Sequence, residues 1–204
     1  MAGPISRLPE PDRRRLLAEL NYINLAEMRG FCNRHEIPHR IYIETPNGAR
    51  RVTRDTDRKS IVLERIREFL NTGEAPTATC FAASVVAPSE VPARLRATDR
   101  LYYGWYDKKN PVMIELLRSL TDGKFRNGAI SRILAREFWT RGEAPTFEEF
   151  AKAWLEADAV GLGEHPEAAW LTDRARGEAG VDWRDKRQRI AARVLELLHE
   201  LAPG

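Results

Sequence analysis

The chain has 204 residues, 43% hydrophobic and 31% charged, with a net charge of +3. That length buries a core as one domain or two small ones, and the composition lies far from the disordered class. No stretch approaches the ~18 consecutive apolar residues of a membrane-spanning helix, and MAGPISRLPEPDRRR lacks the apolar core of a secretory leader. Cys32 and Cys80 each sit among apolar neighbours. Two reduced thiols in a cytoplasmic protein are therefore expected rather than a disulfide.

In chain order, Pro11 opens a first helix, since proline is tolerated in the first turn. Asn24 and Glu27 form a capping-box pattern ahead of a second helix with Leu25, Met28 and Cys32 at helical spacing, ended by Pro38. The period then changes to two. Ile41 and Ile43 alternate with Tyr42, Asn47-Gly48 supplies a tight turn, and Val52 lies on the return strand, which predicts a β-hairpin. Asp57 is the expected cap of a third helix carrying Val62, Ile66, Phe69 and Leu70, stopped by Asn71 and Gly73. Residues 78–98, with Pro88 and Pro92 among Ser and Ala, read as a linker. Beyond it, four further helices are expected: PVMIELLRSL, GAISRILAREFW, TFEEFAKAWLEA with Thr146 and Glu149 as a capping box, and DWRDKRQRIAARVLELLHEL. A shorter one is expected over PEAAWLTDRAR. Arg67-Glu68-Phe69 followed by Gly73-Glu74-Ala75-Pro76-Thr77 recurs as Arg136-Glu137-Phe138 followed by Gly142-Glu143-Ala144-Pro145-Thr146. That echo is either two related units or two helices ended by the same glycine stop and proline exit.

Leu25, Met28, Arg29, Phe31, Cys32, Ile37 and Pro38, followed by Lys59, Leu63, Arg65 and Ile66 and the ending Phe69-Leu70-Asn71-Thr72-Gly73-Glu74, resemble the helix–extended–helix pattern of SAP domains. Those small modules bind DNA in chromatin and repair proteins and also occur in bacterial proteins. The hairpin over Arg40–Asp55 replaces the family's short link, and Arg58 stands where a glycine is usual. The resemblance implies an N-terminal SAP-like helix–hairpin–helix module over 1–77; with the linker 78–98 and the helices read beyond it, the expected fold is mainly α, the module being followed by a small helical domain over 99–204. The resemblance also implies nucleic acid, duplex DNA foremost, as the partner.

Charge supports that expectation mildly. Residues 1–72 carry a net +4 and 91–140 a net +5, whereas 141–204 carry −4. Arg40, Arg50, Arg51, Arg54, Arg58 and Lys59 crowd the hairpin and the next helix start, where guanidinium forks and a helix N-terminus suit phosphate oxygens. The other reading of that cluster is a solvated surface partly neutralised by Glu44, Asp55 and Asp57. Tyr103, Trp105, Lys108 and Lys109 form an aromatic-basic run suited to stacking on unpaired bases, or to packing one part of the chain on another. His35-Glu36-Ile37-Pro38-His39 spells the H-E-x-x-H zinc string, but Pro38 lies inside it and denies the intact helix that string needs. No metal, no cofactor and no enzymatic activity are expected. The alternative function is a protein-interaction adaptor whose module no longer binds nucleic acid, with a protein partner or a second copy docking on the C-terminal helix.

Overall fold

The structure, a computed structural model, describes residues 3–106, 109–161 and 181–201. Among them are seven α-helices: α1 (Glu10–Glu19), α2 (Leu25–Arg34), α3 (Lys59–Thr72), α4 (Pro111–Ser119), α5 (Ala129–Thr140), α6 (Phe147–Val160) and α7 (Val181–Glu200). Three strands, β1 (Arg40–Glu44), β2 (Arg50–Thr56) and β3 (Cys80–Phe81), form one small sheet, so the chain is mainly α. No helix among the described residues is long and apolar enough to cross a membrane. The short helix expected over PEAAWLTDRAR lies outside the described residues.

Local chemistry sets most element ends. The Glu27 amide donates to Asn24 Oδ1 at 2.9 Å while the Asn24 amide donates to Glu27 Oε2 at 2.6 Å, closing the capping box of α2. Thr146 and Glu149 do the same for α6. Gly73 (φ 80°) and Gly142 (φ 77°) both take the left-handed conformation just past α3 and α5. Both repeats of the sequence therefore place their glycine at a left-handed helix stop. The hairpin differs in detail from a two-residue turn. The Gly48 amide donates to the Thr45 carbonyl and the Thr45 amide to the Ala49 carbonyl, both at 2.8 Å. Gly48 has a positive φ of 78°, and Asn47 does not. Pro46 instead favours an ordinary turn ahead of the left-handed glycine, a three-residue connection.

The chain folds as two compact units, and their boundaries differ from the expected ones. The first unit's described residues are 3–40, 54–79 and 181–201; the second's are 41–53, 80–106 and 109–161. In the first, Leu16, Leu20, Met28, Phe31, Ile66 and Phe69 pack with Ala191, Val194, Leu197, Leu198 and Leu201. The final helix thus completes the N-terminal core instead of a separate C-terminal domain, because its apolar stripe is buried by α1 and α2. Arg187 fastens it, donating from Nε to the Tyr22 carbonyl at 3.0 Å and from Nη2 to Glu27 Oε2 at 2.7 Å.

In the second unit Ile41, Ile43, Phe81, Val85, Leu101, Trp139, Phe147, Phe150 and Trp154 share a core. Residues 78–98 are not a free linker there. Phe81 and Val85 are fully buried, and β3 pairs in parallel with β1, Tyr42 opposite Cys80 and Ile43 opposite Phe81. The sheet order β2-β1-β3 leaves β2 at an edge.

Candidate nucleic-acid interface

The candidate surface is built on the β1–β2 hairpin. Alternation turns Ile41 and Ile43 into the core and leaves Tyr42 half-buried. On β2 every residue is exposed or half-buried, with Arg50, Val52 and Arg54 on one face and Arg51 and Thr53 on the other. The Thr53 hydroxyl donates to the Ile41 carbonyl at 2.8 Å, fixing the two strands to each other. Arg40, Arg50, Arg51 and Arg54 are exposed, and none of their side chains makes a hydrogen bond or ion pair with another described residue. Elsewhere arginines find oxygen partners: Arg13 on the Leu8 carbonyl, Arg65 on Asp57, Arg187 on Glu27 and Arg193 on Glu19.

The remaining two expected contacts are placed differently. Arg58 is the half-buried N-cap residue of α3 and interacts with a neighbour. Lys59 points inward, its ammonium donating to the Asn21 carbonyl. Burial pulls its pKa down to about 8, with Arg187 pushing the same way and Glu27 opposing. A lysine committed to a carbonyl within the 3-10 turn Leu20–Tyr22 is not offered to an external phosphate, which corrects its place in the expected patch. The six residues are also divided: Arg40, Arg54, Arg58 and Lys59 belong to the first unit, Arg50 and Arg51 to the second.

Beneath the hairpin root lies a group without a sequence signature. Asp57 is 2% exposed and does not cap α3; its Oδ2 instead accepts from Arg65 Nη1 at 2.7 Å. The same guanidinium donates to the Pro38 carbonyl at 2.8 Å and, through Nη2, to Thr79 Oγ1 at 2.7 Å. Pro38, Asp57 and Thr79 lie just before β1, just after β2 and just before β3. One buried side chain therefore holds the segments leading into and out of the sheet.

No protein-family model, curated protein or solved structure matches the chain.

The aromatic-basic run does not form a stacking platform. Trp105 is 7% exposed and donates through Nε1 to the Ser89 carbonyl at 2.8 Å. Tyr103 packs edge-on against Phe81 and Trp139, with ring centroids 5.1 and 5.5 Å away. Tyr103 packs on the second core and Trp105 is buried edge-on against Tyr102, so the stacking expectation is corrected for both. Lys109 is exposed, and Lys108 lies outside the described residues. The H-E-x-x-H string falls past the end of α2, which stops at Arg34. His35 packs its ring on Phe31 and Phe69 at 4.3 and 4.9 Å instead of facing His39 across a helical turn. Cys32 is buried, and its thiol is pushed up to about 11, the charged form being desolvated.

Proposed function

We propose that the protein binds nucleic acid, duplex DNA foremost, through phosphate contacts from Arg40, Arg50, Arg51 and Arg54. The observation that carries this reading is that these four guanidinium groups are exposed and make no hydrogen bond or ion pair among the described residues. Guanidinium forks match phosphate oxygens, and a two-stranded ribbon fits a duplex groove. The SAP-like pattern supports the reading from a second side. Met28, Phe31, Cys32, Ile37, Leu63, Ile66, Phe69 and Leu70 share one core, as two paired helices of such a module require.

Fluorescence anisotropy with labelled duplex DNA, single-stranded DNA and RNA tests it. Four phosphate contacts give a slope of log affinity against log salt of about −3.6 on duplex DNA. The Arg50→Glu/Arg51→Glu/Arg54→Glu variant, its folding checked by circular dichroism, is expected to lose that binding. Absence of binding to all three probes at low salt in the wild type refutes the proposal.

A second reading, a protein-interaction adaptor, draws on a groove between α2 and α7 of the first unit. Gly30, Phe31, Ala192, Leu195 and Leu198 are among its lining, with Arg34 and Glu196 also there. A stoichiometric protein partner, in a preparation that binds no nucleic acid, would put this reading first.

A further inference from the structure

The second unit holds an open cleft of about 720 Å³, lined by Ser84, Arg100, Tyr102, Phe138, Glu143 and Glu149 among others. That volume falls within the ~300–1,000 Å³ of small-molecule sites. The wall between α5 and α6 is the second copy of the repeated sequence, from Gly142 to Pro145. Backbone pairing fixes the opposite wall to it: Arg100 lies opposite Thr146 in an antiparallel bridge, and the Leu101 amide donates to the Pro145 carbonyl at 2.7 Å. Two charged groups are held on this frame. Arg100 donates through Nη1 to the Ala144 carbonyl at 2.8 Å, and Glu149 accepts from the Thr146 amide at 2.7 Å through Oε2. Those hydrogen bonds with Thr146, with a smaller share from Arg100, hold the Glu149 carboxyl below its ordinary range. The two charges are thus near enough to act on each other, yet neither is in an ion pair among the described residues. Glu143, by contrast, is paired with Arg141 at 3.3 Å. Tyr102 and Phe138, both half-buried, supply the apolar part of the lining.

We propose that this cleft binds a free α-amino acid with an aromatic side chain, its carboxylate on Arg100, its ammonium on Glu149 and its ring against Tyr102 and Phe138. The charges decide the class. A phosphate or other simple anion would meet Arg100 but be repelled by Glu149, and a simple cation would meet the reverse. A neutral apolar molecule would use the rings and desolvate both charges without return. An α-amino acid carries both charges on one carbon, a short span suited to two opposite charges that lie close without touching. The guanidinium fork matches its carboxylate. This site lies wholly within the second unit and does not rest on the nucleic-acid reading.

An NMR titration of the ¹⁵N-labelled full chain with L-phenylalanine tests the proposal. Saturable shifts are expected at the amides of 100–102 and 142–149. N-acetyl-L-phenylalanine, which lacks the ammonium, and L-phenylalanine amide, which lacks the carboxylate, are each expected to bind about tenfold more weakly, the loss of one charge-assisted hydrogen bond. Glu149→Gln keeps an acceptor for the helix cap; it should weaken L-phenylalanine and leave N-acetyl-L-phenylalanine unchanged. Arg100→Gln keeps a donor for the Ala144 carbonyl; it should weaken L-phenylalanine and leave the amide unchanged. The three ligands compared on the wild type stand whatever the variants do to the fold. No saturable shift with L-phenylalanine at 10-fold excess over ~1 mM protein, or shifts confined to other residues, overturns the site. Equal binding of all three ligands overturns the roles of Arg100 and Glu149.

Discussion

Replacing Arg65 by methionine tests the physical account of the hairpin root most directly. The guanidinium makes three hydrogen bonds of 2.7 to 2.8 Å, to Asp57, the Pro38 carbonyl and Thr79. Its side chain is 8% exposed and that of Asp57 2%. Methionine fills much of the same volume but leaves the Asp57 carboxylate and the Pro38 carbonyl without that donor. Removing one member of a buried ion pair costs about 3–5 kcal/mol, mostly the penalty of the charge left behind. The separate hydrogen bonds are not added to that figure, because neighbouring losses are not additive. Urea unfolding should therefore place Arg65→Met about 3–5 kcal/mol below wild type. The Asp57→Ala/Arg65→Met double variant should be less destabilised than Arg65→Met, since it removes the stranded carboxylate. A loss below about 1 kcal/mol for Arg65→Met, the range of an exposed pair, would refute the reasoning. So would a double variant whose loss equals the sum of the two single ones.

Two other measurements bear on different parts of the chain. Phe81→Ala, in the stretch that reads as a linker, should cost about 3–5 kcal/mol in the same assay, because a fully buried ring leaves a cavity; a neutral result would return 78–98 to linker status. Burial, with Arg34 adding to it, holds the His35 pKa below its ordinary 6.5, so between that lowered value and 6.5 the unfolded chain binds the extra proton. Stability should fall as the pH drops through this window. His35→Phe should abolish that share of the fall while keeping the ring contacts with Phe31 and Phe69, and an unchanged pH profile of unfolding would contradict it.

What the sequence makes legible is what neighbouring residues decide. Asn24 with Glu27 and Thr146 with Glu149 announce helix starts because both partners of the capping box lie within one turn. The alternation of Ile41, Tyr42 and Ile43 announces a strand for the same reason. What stays hidden depends on partners far along the chain. Periodicity shows that α7 has an apolar stripe, but not that Leu16 and Phe31 are the residues that cover it. Phe81 and Val85, isolated among Ser, Ala and Pro, give no periodic signal and gain their burial from β1 and the helices of the second unit. Asp57 illustrates a local rule overruled. It stands where a helix cap belongs, but Arg65 claims its carboxylate. Lys59 reads as a surface cation until the Asn21 carbonyl is seen to take its proton donors inward.

The same physics separates two classes of arginine. Arg65, Arg187 and Arg193 face carboxylates and spend their charge holding elements together. Arg40, Arg50, Arg51 and Arg54 face no carboxylate partner among the described residues, and within the first unit a single buried guanidinium joins Pro38, Asp57 and Thr79, which lie in sequence next to the strand ends. Fixing a strand in advance lowers the ordering cost that a ligand must overcome on binding. Loosening the root should therefore weaken binding without touching any phosphate contact. A Thr79→Val substitution, which removes one acceptor of Arg65 and leaves the buried ion pair in place, separates the two effects. It should lower the affinity for duplex DNA modestly and leave the salt slope at its wild-type value, because the number of phosphate contacts is unchanged. A shallower slope would instead mean that the root residues themselves touch the polyanion.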